Sequence, residues 1–197
     1  GRDVLSGIFY ANVVGVPVKF MPSQGANADI FAAKVGAGHD ILLIQSSSNL
    51  ISGFVEANLK AKNNTVELYS SSDGAATNLD LAKRSGAKSF IIVDSAYSDS
   101  ALSVLPYARL TKSYVLLSNK DNAGEIREIV SGKSVIIFGL VDKEVTDALS
   151  MLNPQIIGKG EDKYEDNILM VDKTMAESDI NRIIMVDGTY IEESMAL

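Results

Sequence analysis

Residues 161–165 read Glu-Asp-Lys-Tyr-Glu, directly after a short apolar run and a Gly-Lys-Gly turn. Lys163 supplies a cation and Tyr164 a ring with a hydroxyl, a pair suited to holding a sugar or a phosphate; the same residues also serve as a solvated cation and a ring packed between units. Asp162, with Glu161 beside it and Glu165 following, stands where a helix pattern begins. A carboxylate there either caps the free backbone amides at the positive helix end or contacts a ligand. Asp73, ahead of another helix pattern, carries the same two readings.

A second set of carboxylates lies just after apolar runs: Asp94, Asp99, Asp187, Glu192 and Glu193. In an open parallel sheet, ligands sit at the C-terminal ends of the strands. Carboxylates there suit calcium or a glycosidase pair, although no regular calcium loop is present, and a helix cap at Asp99 is the simpler use. Ser46 to Ser48 and Ser70 to Ser72 also follow apolar runs, where hydroxyls either hold an anion or cap helices. The single histidine, His39, closes a Gly-Ala-Gly-His turn, with no serine elbow to join it in a hydrolytic triad. Asn63-Asn64-Thr65 is a glycosylation sequon between a helix pattern and a strand pattern.

Composition narrows the classes. The chain has 197 residues, is 46% hydrophobic and carries a net charge of −7. That length supports one large core or two small ones. The charge argues against nucleic acid, which demands a basic face. With no cysteine and one histidine, disulfides, thiolate catalysis and Cys or His metal clusters are excluded. No apolar run approaches the ~18 residues of a membrane span. No cofactor is implied: neither a phosphate-loop lysine motif nor a dinucleotide glycine fingerprint is present.

The elements that must position these residues alternate along the chain. Apolar runs predict strands at 16–20 (VPVKF), 40–45, 66–69, 88–94, 113–117, 134–138, 155–157 and 182–186. They are runs rather than alternations, as expected of strands buried on both faces. Helical spacing fills the gaps: 3–13, 50–59, a helix opened near Asp73, one following Asp99 through Leu110, one around Ile126, one from Val145 to Leu152, and one through Ile168 and Met175. Strand and helix in alternation predict an α/β fold with a parallel sheet covered on both sides.

The pattern returns. Leu5-Ser6 and Tyr10-Ala11 recur as Leu102-Ser103 and Tyr107-Ala108 at one spacing, and IIVDSAY (91–97) recurs as IMVDGTY (184–190). We therefore expect tandem open parallel-sheet units of about 90 residues with Rossmann/flavodoxin-like layering, out of phase with the chain ends. Residues 1–87 form a first unit lacking its opening strand, 88–180 a complete second unit, and 181–197 the start of a third. A strand at 182–186 completes the first sheet within the chain, pairs across a dimer, or opens a further unit. Open sheet edges also make a homo-oligomer a candidate.

These residues resemble the cell-wall-binding repeat 2 family. The resemblance rests on Val93-Asp94, Ser100-Ala101-Leu102-Ser103, Leu116-Leu117-Ser118, Ile136-Ile137-Phe138-Gly139, and the joint Ile157-Gly158-Lys159-Gly160-Glu161-Asp162-Lys163-Tyr164-Glu165. It covers the second unit well and the first poorly, where only Asp73 and Thr77 of the joint survive. The family's Gly-Gly is Gly139-Leu140 here, its Arg is Lys163 and its Thr is Asp166, as in a divergent member such as an archaeal surface protein. The resemblance implies a non-catalytic, secreted module at the cell surface. It would attach a protein to an anionic wall polymer, or build a surface layer with neighbouring units. Its binding residues would be Asp162, Lys163, Tyr164, Glu165, Asp73 and Asp99. The alternative from fold class alone is a small-ligand-binding or enzymatic α/β protein of cytosol or periplasm.

Overall fold

The computed structural model describes residues 2–19, 27–47, 50–51, 53–96 and 98–179. The strand expected at 182–186, with Asp187, Glu192, Glu193 and the start of a third unit, lies outside the described residues.

Two parallel sheets are interleaved with helices. The larger contains β3 (Ser89–Asp94), β4 (Tyr114–Ser118), β5 (Ser134–Phe138) and β6 (Gln155–Ile157), in the order β4-β3-β5-β6. All its pairings are parallel, with Ile91 facing Val115 on one side and Ile136 on the other. The order reverses between β3 and β5, the doubly wound arrangement. Ile91, Ile92, Val93, Val115, Leu116 and Ile137 are buried because helices cover both faces, which explains why these strands read as continuous apolar runs. The smaller sheet pairs β1 (Asp40–Ser46) with β2 (Thr65–Ser71).

Between the strands run α1 (Arg2–Val14), α2 (Asn27–Lys34), α3 (Gly53–Ala61), α4 (Gly74–Ser85), α5 (Ser98–Ser103), α6 (Leu105–Thr111), α7 (Ala123–Val130), α8 (Lys143–Leu149) and α9 (Lys163–Ala176). The succession helix–helix–strand–helix–strand–helix occupies residues 2–85 and returns from α5–α6 to α9 with β4 inserted.

The expected strand at 16–20 is a correction. Val16 to Lys19 form no strand, and Phe20 lies outside the described residues. The amides of Gly15 and Val16 both donate to Ala11 O, closing α1. Pro17 has no amide to give a ladder. Among the described residues, no strand pairs with this segment. Helix α2 was not legible as a pattern, since Asn-Ala-Asp-Ile-Phe-Ala-Ala-Lys carries little apolar periodicity. The helix expected from Leu50 begins at Gly53 and buries Val55 and Leu59, leaving Leu50 and Phe54 exposed. The helix after Asp99 divides at Val104, where Pro106 opens α6.

The two cores are unequal. A small one gathers Ala32, Leu43, Val55 and Leu59. The large one fills the four-stranded sheet and also takes Leu5 and Phe9 from α1 and Leu79, Leu81 and Ala82 from α4. Helices α1 and α4 pack against each other and reach both sheets. They cross closely enough that a Cβ on Gly74 would stand 2.7 Å from Cβ of Arg2.

Candidate binding surface around the glycine joint

Helix α9 begins where the expected binding residues concentrate. Asp162 sits in an extended conformation, and its Oδ1 accepts from the amides of Tyr164 at 2.7 Å and Glu165 at 3.4 Å. Asp73 does the same for α4, accepting from Ala75 N at 2.8 Å and Ala76 N at 2.9 Å. These amide bonds, with Arg2 nearby, hold the Asp73 carboxyl below its ordinary value. Both aspartates therefore spend a carboxylate oxygen on helix amides that would otherwise lack partners.

Lys163 and Asp99 meet across the joint, Nζ to Oδ2 at 3.7 Å. The Lys163 ammonium also stands 5.5 Å from the Tyr164 ring centroid, and Tyr164 is 70% exposed. Asp99 lies inside the first turn of α5 rather than ahead of the helix, and its Oδ1 accepts from Ser100 N at 3.1 Å. Asp99, Lys163 and Tyr164 thus form one exposed group presenting a carboxylate, a cation and an aromatic ring. Glu165 is exposed on the same helix turn. Asp73 caps the other half's α4 and is bonded to none of them.

Asp166, which sequence reasoning did not single out as a working residue, holds the joint itself. Its carboxylate is buried and accepts from Lys159 N at 3.0 Å and Gly160 N at 2.8 Å. Gly158 has φ +75°, and a Cβ there would collide with this carboxylate. The Gly-Lys-Gly turn therefore wraps an aspartate one turn into the following helix. The available signal was an acidic residue shortly after paired glycines.

Ser48 lies outside the described residues, and the side chains of Ser46, Ser47, Ser70 and Ser71 bond neighbouring groups of the chain. Ser46 Oγ donates to Asp3 Oδ2 at 2.6 Å, Thr77 Oγ1 donates to Asp3 Oδ1 at 2.8 Å, and Ser47 Oγ donates to Ser72 O. Ser70 Oγ accepts from Gln45 Nε2 at 2.8 Å, and Ser71 bonds Thr77. Asp3 makes this end of the small sheet acidic. Asp94 accepts from Ala96 N at 2.7 Å in a tight turn. Among the described residues, no three His, Cys, Asp or Glu side chains converge on a point that could hold a metal ion. His39 is exposed, and its backbone amide donates to Asn64 Oδ1. The sequon residue Asn63 is exposed in the turn before β2, with φ 61°.

Asn78 is the other residue that sequence reasoning passed over. It is fully buried on α4 and faces the outer edge of β4. Its Oδ1 accepts from Leu117 N at 2.9 Å and its Nδ2 donates to Val115 O at 3.1 Å, while Tyr114 Oη donates to its carbonyl at 2.9 Å. Among the described residues no strand pairs with β4 on that side, and this side chain stands in for one. Phe9 of α1 completes the cover, edge-on to Tyr114 with ring centroids 6.1 Å apart.

A scan against protein-family models gives no match, and a search of curated proteins gives none. Among solved structures the chain is similar to Cwp8 from Clostridium difficile, with a TM-score of 0.69 and 20% identity over 88% of this chain. The match spans 32% of that longer chain. At this identity, the likeness is one of fold. Among the described residues, no helix is long and apolar enough to cross a membrane.

Proposed function

We propose that the chain is a non-catalytic module of the cell envelope, which attaches a secreted protein to an anionic wall polymer or helps build a surface layer. The observation that carries this reading is the joint at 157–166. Its residues resemble those of the cell-wall-binding repeat 2 family, and they sit in a fold like that of Cwp8 from Clostridium difficile. The module is built of tandem units, 1–87 and 88–180, with a third opening at 181, and it works at the cell surface. The Asp99–Lys163–Tyr164 group is its contact with polymer. Lys163 meets a phosphate or carboxylate, Tyr164 stacks on a sugar face, and Asp99 and Glu165 accept from sugar hydroxyls. Asp162 and Asp73 hold their helix starts in place for that contact.

The test is retention of the purified chain on isolated envelopes with and without their anionic polymer. Retention that disappears with the polymer and weakens with salt supports attachment, because screening reduces exposed ionic contacts. Equal retention on both preparations overturns polymer attachment and leaves assembly with neighbouring surface units.

A further inference from the structure

The turn from α3 into β2 carries Asn63, Asn64 and Thr65, which spell the one Asn-x-Ser/Thr acceptor sequence in the chain. Their side chains alternate: Asn63 and Thr65 are exposed and Asn64 is buried. Asn64 is fixed inward. Its Oδ1 accepts from His39 N at 2.8 Å, and its Nδ2 donates to Gly36 O and to Leu59 O, each at 3.0 Å. The backbone is pinned as well, with Asn63 N donating to Lys60 O and Thr65 N donating to His39 O, each at 3.0 Å. The turn therefore presents the Asn63 amide and the Thr65 hydroxyl outward, two residues apart. Among the described residues, neither side chain has a hydrogen-bond partner.

The fold accounts for two of the three residues. Asn63 has φ 61°, a left-handed conformation that asparagine tolerates better than most residues. Asn64 ties the connection between α2 and β1 to the end of α3. Nothing in the fold uses a hydroxyl at 65, where an exposed first residue of a strand accepts other β-branched side chains as readily. What joins all three positions is glycosyl transfer, in which the asparagine amide is the acceptor and the hydroxyl two residues on is read beside it.

We propose that Asn63 is an N-glycosylation site whose side-chain amide carries an oligosaccharide, an inference that rests on the cell-surface location proposed above. The donor is an oligosaccharide held through its first sugar on a lipid pyrophosphate. Asn63 Nδ2 bonds to C1 of that sugar, and the bond from C1 to the pyrophosphate oxygen breaks. The amide gives up one proton and the lipid pyrophosphate leaves, with nothing oxidised or reduced. Because the backbone is pinned on both sides of Asn64, transfer takes place on the unfolded chain during export. Folding then leaves the sugar in solvent, with Asn64 holding the turn beneath it.

The test exports the full chain, behind a cleavable signal, from cells whose export membrane carries an oligosaccharyltransferase accepting Asn-x-Ser/Thr and a lipid-linked oligosaccharide of known mass. Intact mass is read on the secreted product. The unsubstituted chain and Thr65→Ser should gain one oligosaccharide, and Asn63→Gln and Thr65→Val should gain none. Thr65→Val keeps the left-handed asparagine and a β-branched strand residue, so its loss of the sugar is not a folding effect. The glycosylated chain should share its urea midpoint with chain made in cells lacking the transferase, as an open position requires. An unsubstituted chain that leaves the cells unmodified, while a control acceptor in them is modified, overturns the proposal. So does a gain that persists in Asn63→Gln, or a glycosylated chain without a cooperative urea transition, which would set the sugar against the fold. No envelope polymer enters the experiment. An unmodified chain leaves the attachment reading standing, and a glycosylated chain that envelopes fail to retain leaves the Asn63 site standing.

Discussion

Asn78 Oδ1 accepts the backbone amide of Leu117 at 2.9 Å, joining a helix of the first half to the outer strand of the second. With Nδ2 on Val115 O at 3.1 Å, one side chain serves two backbone groups that would otherwise be buried without partners. Among the described residues the sheet therefore ends at a β4 edge covered by this side chain, and the two halves are fastened by a specific bond as well as by apolar contact.

Replacing Asn78 tests this. Asn78→Ala leaves Leu117 N and Val115 O buried and unpaired, and we expect a loss of about 2–4 kcal/mol. Urea unfolding measures it as a lower midpoint. Asn167→Ala, five residues after the Asp162 cap as Asn78 is after Asp73 but exposed, should leave the midpoint unchanged.

Such a role is hard to read from sequence because an asparagine in a helix pattern looks like a solvated residue. The strands were legible because covered parallel strands are continuous apolar runs, as in Phe90-Ile91-Ile92-Val93. The caps at Asp73 and Asp162 were legible because an acidic residue ahead of an apolar helical pattern has a local physical cause. Val16 to Lys19 misled for the opposite reason. An apolar run states what could be a strand, but only a neighbouring strand makes it one, and that neighbour is not encoded locally. The meeting of Lys163 with Asp99 joins α9 to α5, and the wrapping of Gly158 to Gly160 around Asp166 reaches from a turn into a helix. Both depend on how the elements pack.

The joint makes its own prediction. Asp166→Ala removes the acceptor for Lys159 N and Gly160 N, and should cost about 2–4 kcal/mol, since bonds to a charged acceptor are among the stronger ones. Gly158→Ala should cost about 1–3 kcal/mol, combining a left-handed backbone with a collision against the same carboxylate. Thermal unfolding of the two single variants and their double variant would show non-additive losses, because both act on one contact.

The cap at Asp73 predicts an acid dependence. Its carboxyl lies below the ordinary value, through its bonds to Ala76 N and Ala75 N. The charged form is thus favoured in the folded state. The stability it contributes is present above the unfolded-state value of about 3.9 and is lost as pH falls through the lower folded value. Asp73→Asn keeps a capping oxygen without a charge. Between pH 7 and pH 2 its urea midpoint should fall less than that of the unsubstituted chain, and an equal fall would remove Asp73 from the acid dependence.

Polymer contact through the exposed group at the start of α9 predicts a separation of binding from stability. Lys163→Gln and Tyr164→Ala change residues that are mostly outside the core, so the unfolding free energy should change by no more than about 0.5 kcal/mol. Envelope retention should drop by about tenfold in each, as a lost charged or stacking contact allows.

The central claim is attachment to an anionic envelope polymer, and the most direct measurement is cosedimentation of the purified chain with isolated envelopes, intact or stripped of that polymer, at two salt concentrations. The account predicts retention on intact envelopes, weaker at the higher salt, lost on stripping and reduced by Lys163→Gln. Retention that is the same on stripped envelopes, or absent from both preparations, would contradict it.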